Sequence, residues 1–370
     1  MLKVQEYLKS NSLKELKDEY DLKIKEYDNG LILLDYSITS PKTAQITIEC
    51  RSLILDQDFN IVSRKFNRFF NYGENESQNT VDLNYAVALE KADGSIIGIY
   101  YYKNEWLIST RGMALAEGLF QDTNKTFKEM VLLAFGYNEE QFQESFNQLD
   151  KDNTYIFEYI SLENRIVTKY EKPEMVLIGI SENSWTDYYS KESGFFSYTI
   201  DILNNPNIRL PIFYPVINYQ QLCESVDNLG DLKEGYVIWD SKNNTRLKIK
   251  SKTYLLAHGL KGDLKVTKKR LYELAFIGDV EEFLCYFPEY TDQVNQIVMS
   301  VDKLLKEAQS DFDKFNIIID QKEFALIVKE LKYSALLFTG RKTGDNISKI
   351  FDGMNMKYKM QLFESYVQDQ

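Results

Sequence analysis

The chain has 370 residues, 44% hydrophobic and 14% aromatic, which is enough for packed cores and argues against a disordered chain. Its net charge of −12 disfavours a protein that coats long nucleic acid, but the charge is uneven: −10 falls on the first 255 residues and −2 on the rest, which leaves room for a locally basic groove. A single histidine, His258, excludes multi-histidine metal sites, so any chemistry falls to lysine, arginine and carboxylates.

Residues 1–30 read as one or two short charged helices, with Val4, Leu8, Leu13 and Leu16 at helical spacing. From 31 the period changes to short β-branched runs at 31–34, 46–48, 52–55 and 61–62. Segments 95–102 and 105–109 flank Lys103-Asn104, a hairpin turn signal. Residues 126–135 and 139–149 carry helical spacing, and strand patterns return at 155–160, 175–180, 236–239 and 247–249. His258 is expected at a strand end. Beyond 255 the texture is helical, at 268–277, 280–287, 292–309, 321–337 and 356–367. The expected fold class is α+β: an antiparallel-sheet domain over 1–255 followed by an all-helical domain over 256–370. Cys50, Cys223 and Cys285 have no metal-ligand spacing and fit a reducing cytoplasm. The N-terminus shows no apolar signal core and no segment is long enough to span a bilayer, so a cytoplasmic protein without a membrane partner is expected.

The stretch that carries chemistry is Lys91-Ala92-Asp93-Gly94, preceded by Glu49-Cys50-Arg51-Ser52 and followed by Phe157-Glu158-Tyr159, Glu234-Gly235-Tyr236-Val237 and Lys248-Ile249-Lys250. A lysine that attacks phosphorus must be neutral, whereas free lysine keeps its proton to pH ~10.4; desolvation and neighbouring cations work against the ammonium. Arg51, Lys248 and Lys250 can supply those cations while gripping phosphates. Lys248 and Lys250 alternate with Leu247 and Ile249, so a strand points both amines one way. Lys91 and Asp93 share a face if the chain is extended there, and Gly94 allows a tight turn or a close approach to a ligand. Taken singly, Glu158, Glu234 and the Lys-Ile-Lys run also read as solvated surface. A P-loop is excluded, because Gly340-Arg341-Lys342-Thr343-Gly344 lacks the leading glycine and follows a helix, and there is no Gly-x-Gly-x-x-Gly.

In this order the motifs resemble those of the covalent nucleotidyltransferases, the superfamily of ATP-dependent DNA and RNA ligases and mRNA capping enzymes. Glu49-Cys50-Arg51-Ser52, Phe69-Phe70-Asn71, Asn164-Arg165-Ile166-Val167 with Tyr170, and the Lys-Ile-Lys-Ser run ending in Ser251 resemble in particular the bacteriophage RNA ligase 1 family, the tRNA-repair type. The resemblance covers about 31–255 and implies a nucleotidyltransferase domain with a helical domain after it. It implies that Lys91 takes AMP from ATP, passes it to an RNA 5′-phosphate, and that an RNA 3′-hydroxyl then displaces AMP. Lys250, with Lys248 beside it, would grip the α-phosphate, Arg51 the phosphates or ribose, and Glu158 the ribose hydroxyls. Tyr36 would lie against the nucleotide and Phe70 against adenine. Mg2+, with Mn2+ as a substitute, would be held through water by Glu234 and Asp93, and Glu281-Glu282 would correspond to an acidic pair in the helical domain. Arg68 and Arg111 stand where the family commonly has lysines, which keeps the charge but replaces a point charge with a planar fork. The implied partner is RNA with 5′-phosphate and 3′-hydroxyl ends, a cleaved tRNA among the candidates. The protein is expected to be monomeric, and in the host cytoplasm if phage-encoded. The competing readings are a DNA ligase, a capping enzyme and a non-catalytic RNA-end-binding protein.

Overall fold

A computed structural model describes residues 1–37, 39–120, 123–182, 187–188, 195–216, 218–230, 232–259, 268–278 and 280–367. The chain divides into two compact units, Met1–His258 and Gly259–Gln370.

The first unit is α+β. Its strands in chain order are β1 (Leu22–Glu26), β2 (Ile32–Tyr36), β3 (Leu53–Leu55), β4 (Ile61–Ser63), β5 (Phe70–Asn71), β6 (Ala86–Lys91), β7 (Ser95–Tyr102) and β8 (Glu105–Ser109). They continue with β9 (Asn153–Ile160), β10 (Glu174–Glu182), β11 (Asp187–Tyr188), β12 (Ile208–Arg209), β13 (Phe213–Tyr214), β14 (Gly235–Asp240) and β15 (Thr245–Lys250). Three sheets result, ordered β1-β2-β3-β4, β11-β10-β9-β7-β8 with β12 beside β10, and β13-β6-β14-β15-β5. Pairing is antiparallel except at β10–β12 and β15–β5.

Local chemistry explains the elements. Lys103 and Asn104 both take positive φ (48° and 70°), as a two-residue hairpin requires, and they join β7 to β8. The helix Phe127–Phe135 starts at a reciprocal Thr126–Glu129 capping box and stops at Gly136 in the left-handed region. It buries Met130, Val131, Ala134 and Phe135 in a core that includes Trp106, Phe146 and Phe157. Buried Trp106 donates its indole N–H to Asn147 Oδ1 at 3.2 Å.

Several expectations are corrected. Residues 22–26 form an edge strand rather than helix, with Leu22 and Ile24 turned inward between Lys23 and Lys25. The β-branched run at 46–48 lies in the helix Gln45–Glu49, where Ile46 and Glu49 are buried at helical spacing and Glu49 accepts from the Val4 N–H at 3.0 Å. His258 lies in the helix Lys252–Gly259 rather than at a strand end. The helices Phe195–Leu203, Tyr219–Val226 and Ile347–Gly353 went unread in the sequence. In the second unit the segment at 321–337 breaks into Gln321–Val328 and Ser334–Thr343. The described part of that unit is helical throughout. Its 25-residue helix Thr291–Phe315 buries Val294, Ile297, Val301, Leu304, Ala308 and Phe312 along one stripe.

Gly235, at the start of β14, has φ +142°, and an added Cβ would stand 2.1 Å from the Ile249 carbonyl oxygen. Gly235→Ala is therefore expected to lower unfolding stability by at least ~2 kcal/mol, read as a reduced urea midpoint at unchanged slope.

Candidate active site

The site is organised by β14, which has β6 on one side and β15 on the other. Gly235 pairs with Lys91 on β6 and with Lys250 on β15, so the two lysines flank one level of the sheet. Glu234, just before this position, reaches both. One carboxylate oxygen lies 2.7 Å from Lys91 Nζ and the other 3.4 Å from Lys250 Nζ, and the residue is buried. As the alternation requires, Leu247 and Ile249 are buried while Arg246, Lys248 and Lys250 line a cavity of about 190 Å3.

Leu89, Lys91 and Val237 also line this cavity from the five-stranded sheet, and Ile96, Glu158 and Ile178 line it from the six-stranded sheet. Tyr36, Arg51, Phe66, Phe69 and Arg111 also contribute to the wall. Among the described lining residues six cations (Arg51, Lys91, Arg111, Arg246, Lys248 and Lys250) stand with two carboxylates, Glu90 and Glu158, while Glu234 and Asp35 pair with Lys91, Lys250 and Arg111 from outside the lining. Glu90 is held by Arg209 through bonds of 2.7 and 3.1 Å, which leaves cationic charge in excess. Burial pushes the Glu158 carboxyl up to about 8; Lys91 and Arg51 oppose this, and Glu234 and Asp93 add to it. Two guanidiniums lie against the Tyr36 ring, Arg68 at 4.5 Å and Arg111 at 4.6 Å from its centroid. Arg111 is further tied to Asp35 at 3.1 Å. Arg51 lies 5.6 Å from the Phe69 ring centroid and precedes Ser52, whose φ is +58°.

An apolar slot beside a dense group of cations suits a nucleoside polyphosphate, and a lysine stands at their junction. Residues 49–255 match the family model described as RNA ligase. The chain belongs to the RNA ligase family. Within that family it is 32% identical to a protein of Autographa californica nuclear polyhedrosis virus named as a bifunctional polynucleotide kinase/RNA ligase, over 92% of this chain and 50% of that one. It thus spans about half the length of that relative. It is 26% identical to an RNA ligase of Rhodothermus phage RM378, over 70% of this chain and 73% of the relative. A solved archaeal ATP-dependent RNA ligase matches with a TM-score of 0.49 at 13% identity, covering 83% of this chain and 81% of its own.

In this RNA ligase family member some expected residues stand elsewhere. Asp93 does not share a face with Lys91, because β6 ends at Lys91. Its buried carboxylate accepts from the Val167 and Thr168 N–H groups at 2.8 Å each and from the Tyr254 hydroxyl at 2.7 Å. The Asp93 N–H donates to the Tyr170 hydroxyl at 2.9 Å. Asp93 therefore ties the 164–170 stretch and the helix from Lys252 to the turn after Lys91, and both its oxygens are engaged by protein groups. Gly94 makes its close approach to protein too: a Cβ there would lie 2.2 Å from the Tyr159 carbonyl oxygen. Phe69, not Phe70, lines the cavity; Phe70 and Arg68 line a neighbouring depression. Glu281 and Glu282 fall in the second unit, with the Glu282 side chain outside the described residues.

Two groups escaped the sequence reading. Arg246 extends the Lys248/Lys250 alternation by one step, and that period was available. Lys65 had no such signal: Ser-Arg-Lys-Phe reads as surface. It is buried, and its amine donates to Ser52 Oγ and Ser109 Oγ at 2.8 Å each and to the Thr110 carbonyl at 3.2 Å. A side chain at Gly98 would collide with its Cε at 2.6 Å. These bonds brace the residues next to Arg51 and Arg111.

Burial, with Arg51 nearby, brings the Lys65 amine from 10.5 down to about 7. Between those values the unfolded chain binds a proton that the folded chain does not, so this group makes stability rise with pH. The stability of wild type relative to Lys65→Met is expected to grow from pH 7 to 9 by up to ~1.4 kcal/mol per unit, measured by urea unfolding. A difference independent of pH would contradict the assignment.

Proposed function

We propose that this protein is an ATP-dependent RNA ligase that joins RNA 3′-hydroxyl and 5′-phosphate ends, with Lys91 as the carrier of AMP. The observation that carries the reading is the Lys91–Glu234–Lys250 triad at the edge of a cavity rich in arginine and lysine. Family membership, set by the match over 49–255, supports it over a DNA ligase or a capping enzyme.

In the first step Lys91 Nζ attacks the α-phosphorus of ATP. The bond to the bridging oxygen breaks, pyrophosphate leaves, and the amine gives up its proton. Glu234, 2.7 Å from Nζ, is placed to receive that proton as ATP draws the lysine forward. Lys250 and Lys248 neutralise the α-phosphate, and Arg51, Arg111 and Arg246 take the remaining phosphate charge. Val237 and Phe69 offer apolar faces to the base, with Tyr36 held rigid by its two arginines. Glu158, partly protonated near neutrality, can both donate to and accept from ribose hydroxyls. An RNA 5′-phosphate oxygen then attacks the same phosphorus and releases Lys91, and finally a 3′-hydroxyl attacks the RNA phosphate and releases AMP.

Among the described residues no three His, Cys, Asp or Glu side chains cluster as a metal cage. Glu234 would contact a hard divalent ion such as Mg2+ or Mn2+ through water, with the ion kept mostly by phosphate and water. Such an ion would neutralise the pyrophosphate leaving group. Among the described residues no helix is long and apolar enough to cross a membrane. The cytoplasm, a monomeric state and a cleaved tRNA substrate belong to the same proposal.

With 5′-phosphorylated RNA, ATP and Mg2+, joined product is expected, and RNA is expected to be preferred over DNA of the same sequence. Exclusive label transfer from GTP would replace the ligase reading with a capping one. Glu234→Gln is expected to slow lysyl-AMP formation roughly 10²-fold in single-turnover labelling.

A further inference from the structure

Beside the nucleotide cavity lies a second depression of about 400 Å3, and Phe66, Phe69 and Arg246 contribute to both. Its remaining wall comes from the segment at Thr43 and Gln45, from Arg68 and Phe70, and from the turns carrying Asn75 and Asn244. Among the described residues no carboxylate lines it, in a chain with a net charge of −12. Two guanidiniums and four amides (Gln45, Asn67, Asn75 and Asn244) do, along with three phenylalanine rings. Asn75 and Glu76 hold φ of +50° and +53° in succession, a conformation that costs free energy for residues with a Cβ. Asn244, at φ +50°, receives Trp239 Nε1 and Arg246 Nη1 on its side-chain oxygen at 3.3 Å each, so one amide fixes both the turn and the arginine at the divide.

Aromatic faces bind unstacked bases of any kind, amides match base edges, and guanidiniums hold phosphate. The absence of lining carboxylates removes the repulsion that the acidic surface would otherwise present to an RNA strand. Because Arg246 faces both spaces, a phosphate on it adjoins the nucleotide cavity while its base lies in the depression.

We propose that this depression binds the 5′-terminal nucleotide of the RNA, with its base against the Phe69–Phe70 wall and the amides, and its 5′-phosphate at Arg246. The proposal rests on the ligase reading above, and it adds where the strand that receives AMP is seated. It also explains why Arg68 and Phe70 line this depression and not the nucleotide cavity.

Thr43 and Asn75 are both exposed, so acidic replacements there leave packing intact. The double variant Thr43→Glu/Asn75→Asp and its neutral control Thr43→Gln/Asn75→Gln are compared with wild type. One measurement is transfer of label from α-labelled ATP to protein without RNA; the other is fluorescence anisotropy with a 3′-labelled RNA oligonucleotide bearing a 5′-phosphate or a 5′-hydroxyl. The acidic variant is expected to form lysyl-AMP within about twofold of wild type and to bind the 5′-phosphorylated RNA about tenfold more weakly or worse, with the control near wild type. Wild-type binding is expected to favour the 5′-phosphate. Unchanged RNA affinity in the acidic variant overturns the proposal, as does equal wild-type affinity for the two RNA ends. Wild type that binds RNA but takes no label from ATP overturns the ligase reading instead, and the variants still decide whether the depression holds RNA.

Discussion

The site depends on one carboxylate shared by two lysines from the strands on either side of β14. Unscreened like charges on β6 and β15 would push those strands apart, and Glu234 at the head of β14 offsets both at once. The arrangement works only because Gly235 lets β14 start hard against β15, where any side chain would meet the Ile249 carbonyl. The Glu-Gly pair therefore has one task in two parts: glycine permits the close register, and glutamate neutralises what the register brings together.

A second constraint is the burial of Asp93. Its carboxylate is consumed by two backbone N–H groups and the Tyr254 hydroxyl, and the adjoining N–H is bound by Tyr170. The turn after Lys91 is thus clamped from two later parts of the chain. Lys65 does similar work across the cavity, bridging the segments that carry Arg51 and Arg111. Holding charged groups in place beforehand lowers the reorganisation needed when a phosphoryl group reacts.

The sequence made some of this readable and hid the rest for physical reasons. The alternation of Leu247 and Ile249 with Lys248 and Lys250 survives in the structure because β15 buries one face. The meeting of Lys91 with Lys250 was not readable from spacing alone, since it depends on β14 pairing with both neighbours across a long separation in sequence. The two-residue rule failed at Asp93 because the strand ends at Lys91 and the turn redirects the next side chains. Phe69 and Phe70 are adjacent aromatics, and only the pairing of the two-residue β5 with β15 decides which one faces the cavity. At 46–48, β-branched propensity lost to burial at helical spacing.

The most direct test of the account is to map the nucleotide on the protein. After incubation with ATP and Mg2+ and digestion, mass spectrometry is expected to find one AMP, in acid-labile phosphoramidate linkage, on the peptide containing Lys91. AMP on Lys248, Lys250 or Lys65 in place of Lys91, or no adduct on a folded protein that still joins RNA, would contradict the central claim.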